Sequence, residues 1–180
     1  MVLRKKIFTA FALLLLSGAA LAQIPTAGNF YLGYSLNHGN TGFSDNGTLH
    51  GWEGALQGNF APYVGMVADV SAQYGHLSVP AYDVNPSTHV VSYLFGPRVM
   101  VSVGKYSPFA HVLVGASHLS VGSSVYSHSE TAFGAAYGGG LDYKLVPAVA
   151  WRFQLDDLQT RFHSSHQNNA RFSTGVVIHF

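Results

Sequence analysis

Beyond residue 27 the chain is built on a period of two. Its final stretch, Arg171 to Phe180, sets Phe180, Ile178, Val176, Thr174 and Phe172 on one row. His179, Val177, Gly175, Ser173 and Arg171 fall on the other. Alternation of this kind means an extended strand whose two faces meet different surroundings. It recurs. Trp52, Gly54, Leu56, Gly58 and Phe60 interleave with Glu53, Ala55, Gln57 and Asn59, and Trp151, Phe153 and Leu155 interleave with Arg152, Gln154 and Asp156. Strands are predicted at Gly28–Asn37, Gly51–Phe60, Val64–Gly75, His89–Val101, Ser107–Ser117, Thr131–Tyr143, Val149–Gln159 and Arg171–Phe180. Each is about ten residues, the length a tilted strand needs to cross a bilayer.

The N-terminus is different. Arg4, Lys5 and Lys6 precede the apolar run Ile7 to Leu16, and Ala20-Leu21-Ala22 has the A-x-A pattern of a cleavage site. This is the layout of a secretory signal peptide, residues 1–22, with the mature domain at 23–180. The run is too short for a membrane helix. The chain has no cysteine, so no disulfide framework supports the exported fold. It has nine Lys/Arg and eight Asp/Glu; losing Arg4, Lys5 and Lys6 leaves six against eight, about −2, which argues against a nucleic-acid partner.

Charged residues are 9% of the chain, whereas a soluble domain carries about 25%. The connections alternate in length. Ala61-Pro62-Tyr63, Gly104-Lys105-Tyr106 and Lys144–Pro147 read as tight turns. His38–His50, His76–Thr88, His118–Glu130 and Thr160–Ala170 read as long polar loops. Short turns at one end and long loops at the other are the arrangement of an outer-membrane barrel, whose apolar rows face lipid. Aromatic residues gather near strand ends, with Phe60, Tyr63, Tyr143 and Phe180 at one end and Trp52, Tyr74, Tyr93 and Phe133 at the other, as interfacial girdles do. The predicted fold is all-β: an eight-stranded antiparallel up-and-down transmembrane barrel with both termini at the short-turn, periplasmic end.

The chain resembles the OmpA/OmpX-type outer membrane protein beta-barrel domain family of small porin-like barrels. The resemblance rests on NFYLGYS (29–35), FGPRV (95–99), PFAHVLVGAS (108–117), FGAAYGGGLDYKL (133–145), WRFQLDDLQTRF (151–162) and the aromatic last strand. It implies a monomeric barrel among outer-membrane lipids and lipopolysaccharide. It also implies that Phe180, Ile178 and Val176 form the C-terminal signal read by the barrel insertion machinery. Asp157 departs from the pattern, falling on the apolar row of its strand. It is expected at or above the outer interface, or beside a bulge at Asp156-Asp157.

Three sets of residues bear on function. Glu53, Asp69, Arg98, Asp142, Arg152 and Asp156 fall on the polar rows. An eight-stranded barrel has room only for side chains, so these ions are expected to pair into a polar plug, the other reading being a gated ion passage. The second set is His118 and Ser120, followed by Glu130. It resembles the H-x-S pair and later Glu of the outer-membrane lipid A deacylases, in which serine would be nucleophile and histidine base. That family has Asn after the serine, and here Val121 follows. The third set is histidines of the expected loops: His38, His50, His76, His89, His128, His163 and His166. Their spacing matches no zinc motif and reads as solvated loop histidine, the sharper reading being a soft metal site or a pH-sensitive surface. His111 and His179 lie on polar rows and are expected to hydrogen-bond inside the barrel. Gly138-Gly139-Gly140 lies within a strand pattern and is no phosphate-binding loop. No catalytic role, metal or cofactor is assigned as the main reading.

Overall fold

The structure is a computed structural model describing residues 27–40, 46–76, 87–122, 127–162 and 165–180. The expected signal peptide and His163 lie outside these residues, as do the side chains of His76, His128 and His166. The strands are β1 (Gly28–Asn40), β2 (Asn46–Ala61), β3 (Val64–His76), β4 (Ser87–Met100), β5 (Tyr106–Gly122), β6 (Ser127–Val146), β7 (Val149–Phe162) and β8 (Ser165–His179). Each pairs antiparallel with the next, and β8 closes on β1 through partners such as Gly33↔Gly175, so the sheet is a closed barrel without edges.

The strands run further than the alternation predicts. The stretch His118–Glu130, expected as loop, is largely ladder, with pairs His118↔Thr131 and Ser120↔Ser129. The stretches His38–His50 and Thr160–Ala170 are likewise strand through Asn40, from Asn46, through Phe162 and from Ser165. In these upper segments the outward row turns polar while apolar residues such as Leu49 and Leu119 fall on the inward row, which breaks the apolar-outward pattern while leaving the backbone pairing intact. Close connections at the opposite end fall where expected. One of them contains Gly104, whose φ of 62° lies in the left-handed region that glycine enters without a Cβ penalty. Register shifts at Asn59/Ala61 and Lys144/Val146 adjust the strands beside two of the turns.

The faces are oriented as a membrane barrel requires. Phe153, Val176 and Ile178 are 48%, 37% and 49% exposed on the outside. Arg98 and Arg152 are buried within, at 1% and 0%. Val177, apolar but on the polar row, is also fully buried, in an interior apolar cluster with Tyr31, Val67, Leu94, Leu113 and Leu158. The interior is therefore mixed, with apolar side chains completing the packing around a polar network.

Candidate functional site

The barrel interior holds the densest chemistry among the described residues. Near the short-turn end Arg152 grips Asp142, directly opposite it on β6, through Nε and Nη2, each 2.7 Å from a carboxylate oxygen. This two-pronged geometry is the strong form of an arginine–carboxylate pair. The Arg152 guanidinium lies over the Tyr31 ring at 4.9 Å and the Phe109 ring at 4.6 Å, and Arg98 lies 4.4 Å from the same Phe109 ring. Desolvated cation–π contacts of this kind contribute about 2 kcal/mol.

Arg98 leads into a relay. It donates to Gln57 Oε1 at 3.1 Å and to His111 Nδ1 at 3.0–3.2 Å. Arginine can only donate, so Nδ1 of His111 is the acceptor and Nε2 holds the ring proton. Nε2 is 2.8 Å from Asp156 Oδ1, to which it donates. His111 is thus placed between a cation and an anion as a neutral bridge.

Asp156 Oδ2 accepts from Arg171 at 2.7 and 3.1 Å and from Gln154 at 2.8 Å. Arg171 also donates to Asp69 at 3.1 Å and Ser71 at 3.2 Å, and its Nε is 3.5 Å from Glu53. Glu53 accepts from Gln154 at 2.8 Å and from the Ser173 hydroxyl. One guanidinium therefore ties together three carboxylates from β2, β3 and β7. All six polar-row ions named from sequence are buried here. Arg171, the hub, was missing from that set. The sequence reading starts its last strand at Arg171, where a charge looks like the edge of a loop. With β8 extended to Ser165 it is well inside the strand. Its position in the row with Ser173 and Gly175 is the signal that could have found it.

Glycine makes this packing possible. A Cβ on Gly138 would overlap the Asp156 carboxylate and the backbone of Leu155. One on Gly33 would overlap the hydroxyl end of the Tyr31 ring.

The other sequence-predicted residues lie elsewhere. His118 is exposed on the outside and is hydrogen-bonded through Nδ1 to Thr131 Oγ1, 2.8 Å away. Glu130 is paired with Leu119, and so belongs to the inward row of β6 with Ala132 and Ala136, opposite to the row of His118 and Ser120. The geometry does not bring the three together as nucleophile, base and orienting acid. His179 is partly exposed at the barrel end; its backbone N–H donates to Ala148 at 2.8 Å. Asp157 keeps the register of its strand, with Tyr137 and Ala170 as neighbours, so the bulge considered from sequence is absent. Its carboxylate accepts from the Tyr137 hydroxyl on the outer face, and Gln159 donates to that hydroxyl at 3.2 Å.

Several solved structures share this architecture. The structure of Ail, the attachment invasion locus protein of Yersinia pestis, superposes with a TM-score of 0.61 at 15% identity, covering 86% of this chain and 98% of that one. Neisserial surface protein A (NspA) gives 0.71 at 10% identity, covering 86% and 99%. The N-terminal barrel of Pseudomonas aeruginosa OprF gives 0.50 at 14%, covering 85% and 99%. At these identities the likeness is one of fold. No curated protein matches the chain by sequence. The family described as "Outer membrane protein beta-barrel domain" matches residues 8–180, and the chain belongs to it.

Proposed function

We propose that the protein is a monomeric anchor in the bacterial outer membrane, with its short turns and termini in the periplasm and its long connections forming a surface for interaction. Export uses the signal peptide, cleaved near Ala22. The lipid-facing row Val176, Ile178 and Phe180 serves the insertion machinery, and its partners afterwards are outer-membrane lipids and lipopolysaccharide. The observation that supports this reading is the interior itself. Arg98, Arg152 and Arg171, each 1% exposed or less, fill the interior: Arg171 holds Asp69 across the lumen, Arg152 holds Asp142 on the neighbouring strand, and Arg98 donates to Gln57 and His111, as a plug requires. On this reading the filled lumen passes at most small ions, and the barrel's role is structural and adhesive.

Planar-bilayer recording of the purified protein tests this. Silence, or brief small openings, is the expected result, and sustained porin-like conductance overturns the plug. Lipopolysaccharide incubated with the protein is expected to release no fatty acid. Release abolished by Ser120→Ala would replace the anchor reading with that of a hydrolase.

A further inference from the structure

The outward face of the barrel changes character at its upper aromatic girdle. His50, Tyr74, His89 and Ser120 are directly opposite one another across β2, β3, β4 and β5. His38 and His118 flank this row on β1 and β5, and all four histidines are exposed. Three of them are fixed through the same atom: His38 Nδ1 to Thr48 at 3.0 Å, His50 Nδ1 to the Tyr34 hydroxyl at 2.5 Å and His118 Nδ1 to Thr131 at 2.8 Å. His89 is held edge-on against the Tyr74 ring at 4.9 Å. Among the described residues nothing meets Nε2 of His38, His50 or His118, which leaves it available as a donor once the ring is protonated.

The surroundings of this band determine what it can take. Tyr34 and Tyr74 are the titratable groups that face these rings from neighbouring strands. Other opposing positions are apolar or hydroxyl-bearing, including Leu36, Ala170, Val91 and Ser120. Among the described outward positions of β1 to β6 there is no Asp or Glu; Glu130 is on the inward row and Asp157 is on β7. Imidazole gains a positive charge on mild acidification, and among the described residues no outward carboxylate of β1 to β6 is there to neutralise it. The band is continuous with the lipid-facing surface formed by Trp52 and Tyr93.

We infer that this histidine band is a pH-dependent docking surface for the phosphate groups of the lipids around the barrel. Binding should strengthen as the medium is acidified, because imidazole then gains charge. The inference rests on the outer-membrane reading and specifies where its lipid partner sits. Lys105 and Lys144 are exposed at the opposite end of the barrel, away from this band.

The test uses the full-length mature barrel in phosphatidylcholine vesicles with trace spin-labelled phosphatidylglycerol, a phosphodiester that keeps one charge across the range. The measurement is the fraction of label immobilised at the protein, at pH 5.5 and pH 7.5. Preference for phosphatidylglycerol over labelled phosphatidylcholine should rise about fivefold in acid, roughly what one cation beside an anionic headgroup contributes. The rise should vanish in the combined His38→Gln, His50→Gln, His89→Gln, His118→Gln variant, with folding checked by its heat-modifiable gel shift. His50→Lys with His89→Lys should give high preference at both pH values. A pH-independent preference in the parent, or an undiminished rise in the four-glutamine variant, overturns the inference. Absence of immobilised lipid in every sample would instead defeat the membrane reading on which it rests.

Discussion

Arg171 and Asp69 are 102 residues apart in the chain and 3.1 Å apart across the lumen. The same guanidinium holds Asp156 and faces Glu53, so three acids on three strands depend on one cation. Such a group is a poor source of net stability compared with apolar packing, but removing it alone leaves uncompensated buried charge. Arg171→Met should therefore destabilise the barrel by about 3–5 kcal/mol. Urea titration in lipid vesicles, followed by the fluorescence of the outward-facing Trp52 and Trp151, measures this. A loss below 1 kcal/mol would show that the three acids do not need their shared partner.

Gly138 tests the closeness of the packing. Its missing side chain makes room for the Asp156 carboxylate. Gly138→Val should cost about 1–3 kcal/mol through overpacking, and should loosen the Asp156–His111 link. The folded fraction on unheated gels and the urea midpoint report the cost. Gly104→Ala, by contrast, meets no neighbouring atom and is strained through its positive φ alone.

Val176 and Val177 are adjacent in sequence and on opposite sides of the wall. Val176→Arg puts a cation among acyl chains at a cost of about 2–4 kcal/mol near mid-bilayer. Val176→Leu should be within about 0.5 kcal/mol of the parent. Val177 is fully buried, and Val177→Leu should be the more harmful leucine substitution because the lumen has no room for it. Equal tolerance at both positions, read from membrane yield and urea midpoint, would contradict the assignment of faces.

Asp157 is the acid on the lipid-facing side of β7, and it relies on Tyr137. Tyr137→Phe should lower stability by about 1–3 kcal/mol by depriving the carboxylate of its donor. Asp157→Leu should raise it, since both the charge and its need for a partner are removed. A destabilised Asp157→Leu would mean that the carboxylate has a further role on that surface.

Much of this was legible in the residues because a membrane barrel reverses the usual inside and outside while keeping the strand period. Trp151-Arg152-Phe153-Gln154-Leu155-Asp156 can be sorted into faces by eye, and the structure sorts it in the same way. Legibility fails where the two faces have similar surroundings. Phe30-Tyr31-Leu32 is apolar on both faces, so nothing local says that Tyr31 turns inward over Gly33. The upper hairpin around His118 and Thr131 is polar outside and mixes Leu119 with Glu130 on its inward row, so its ladder reads as loop.

The sequence by itself determined the strand number, the two-sided character of each strand and the lengths of the short turns. Those follow from side-chain alternation and turn chemistry, which are local. Only the closed tertiary structure decided which charges share a partner. It set Arg171 among Glu53, Asp69 and Asp156, turned Glu130 away from His118 and aligned His50, Tyr74 and His89 in one row. Such groupings depend on the register between strands and on distances across the lumen, and neither is encoded in a single strand.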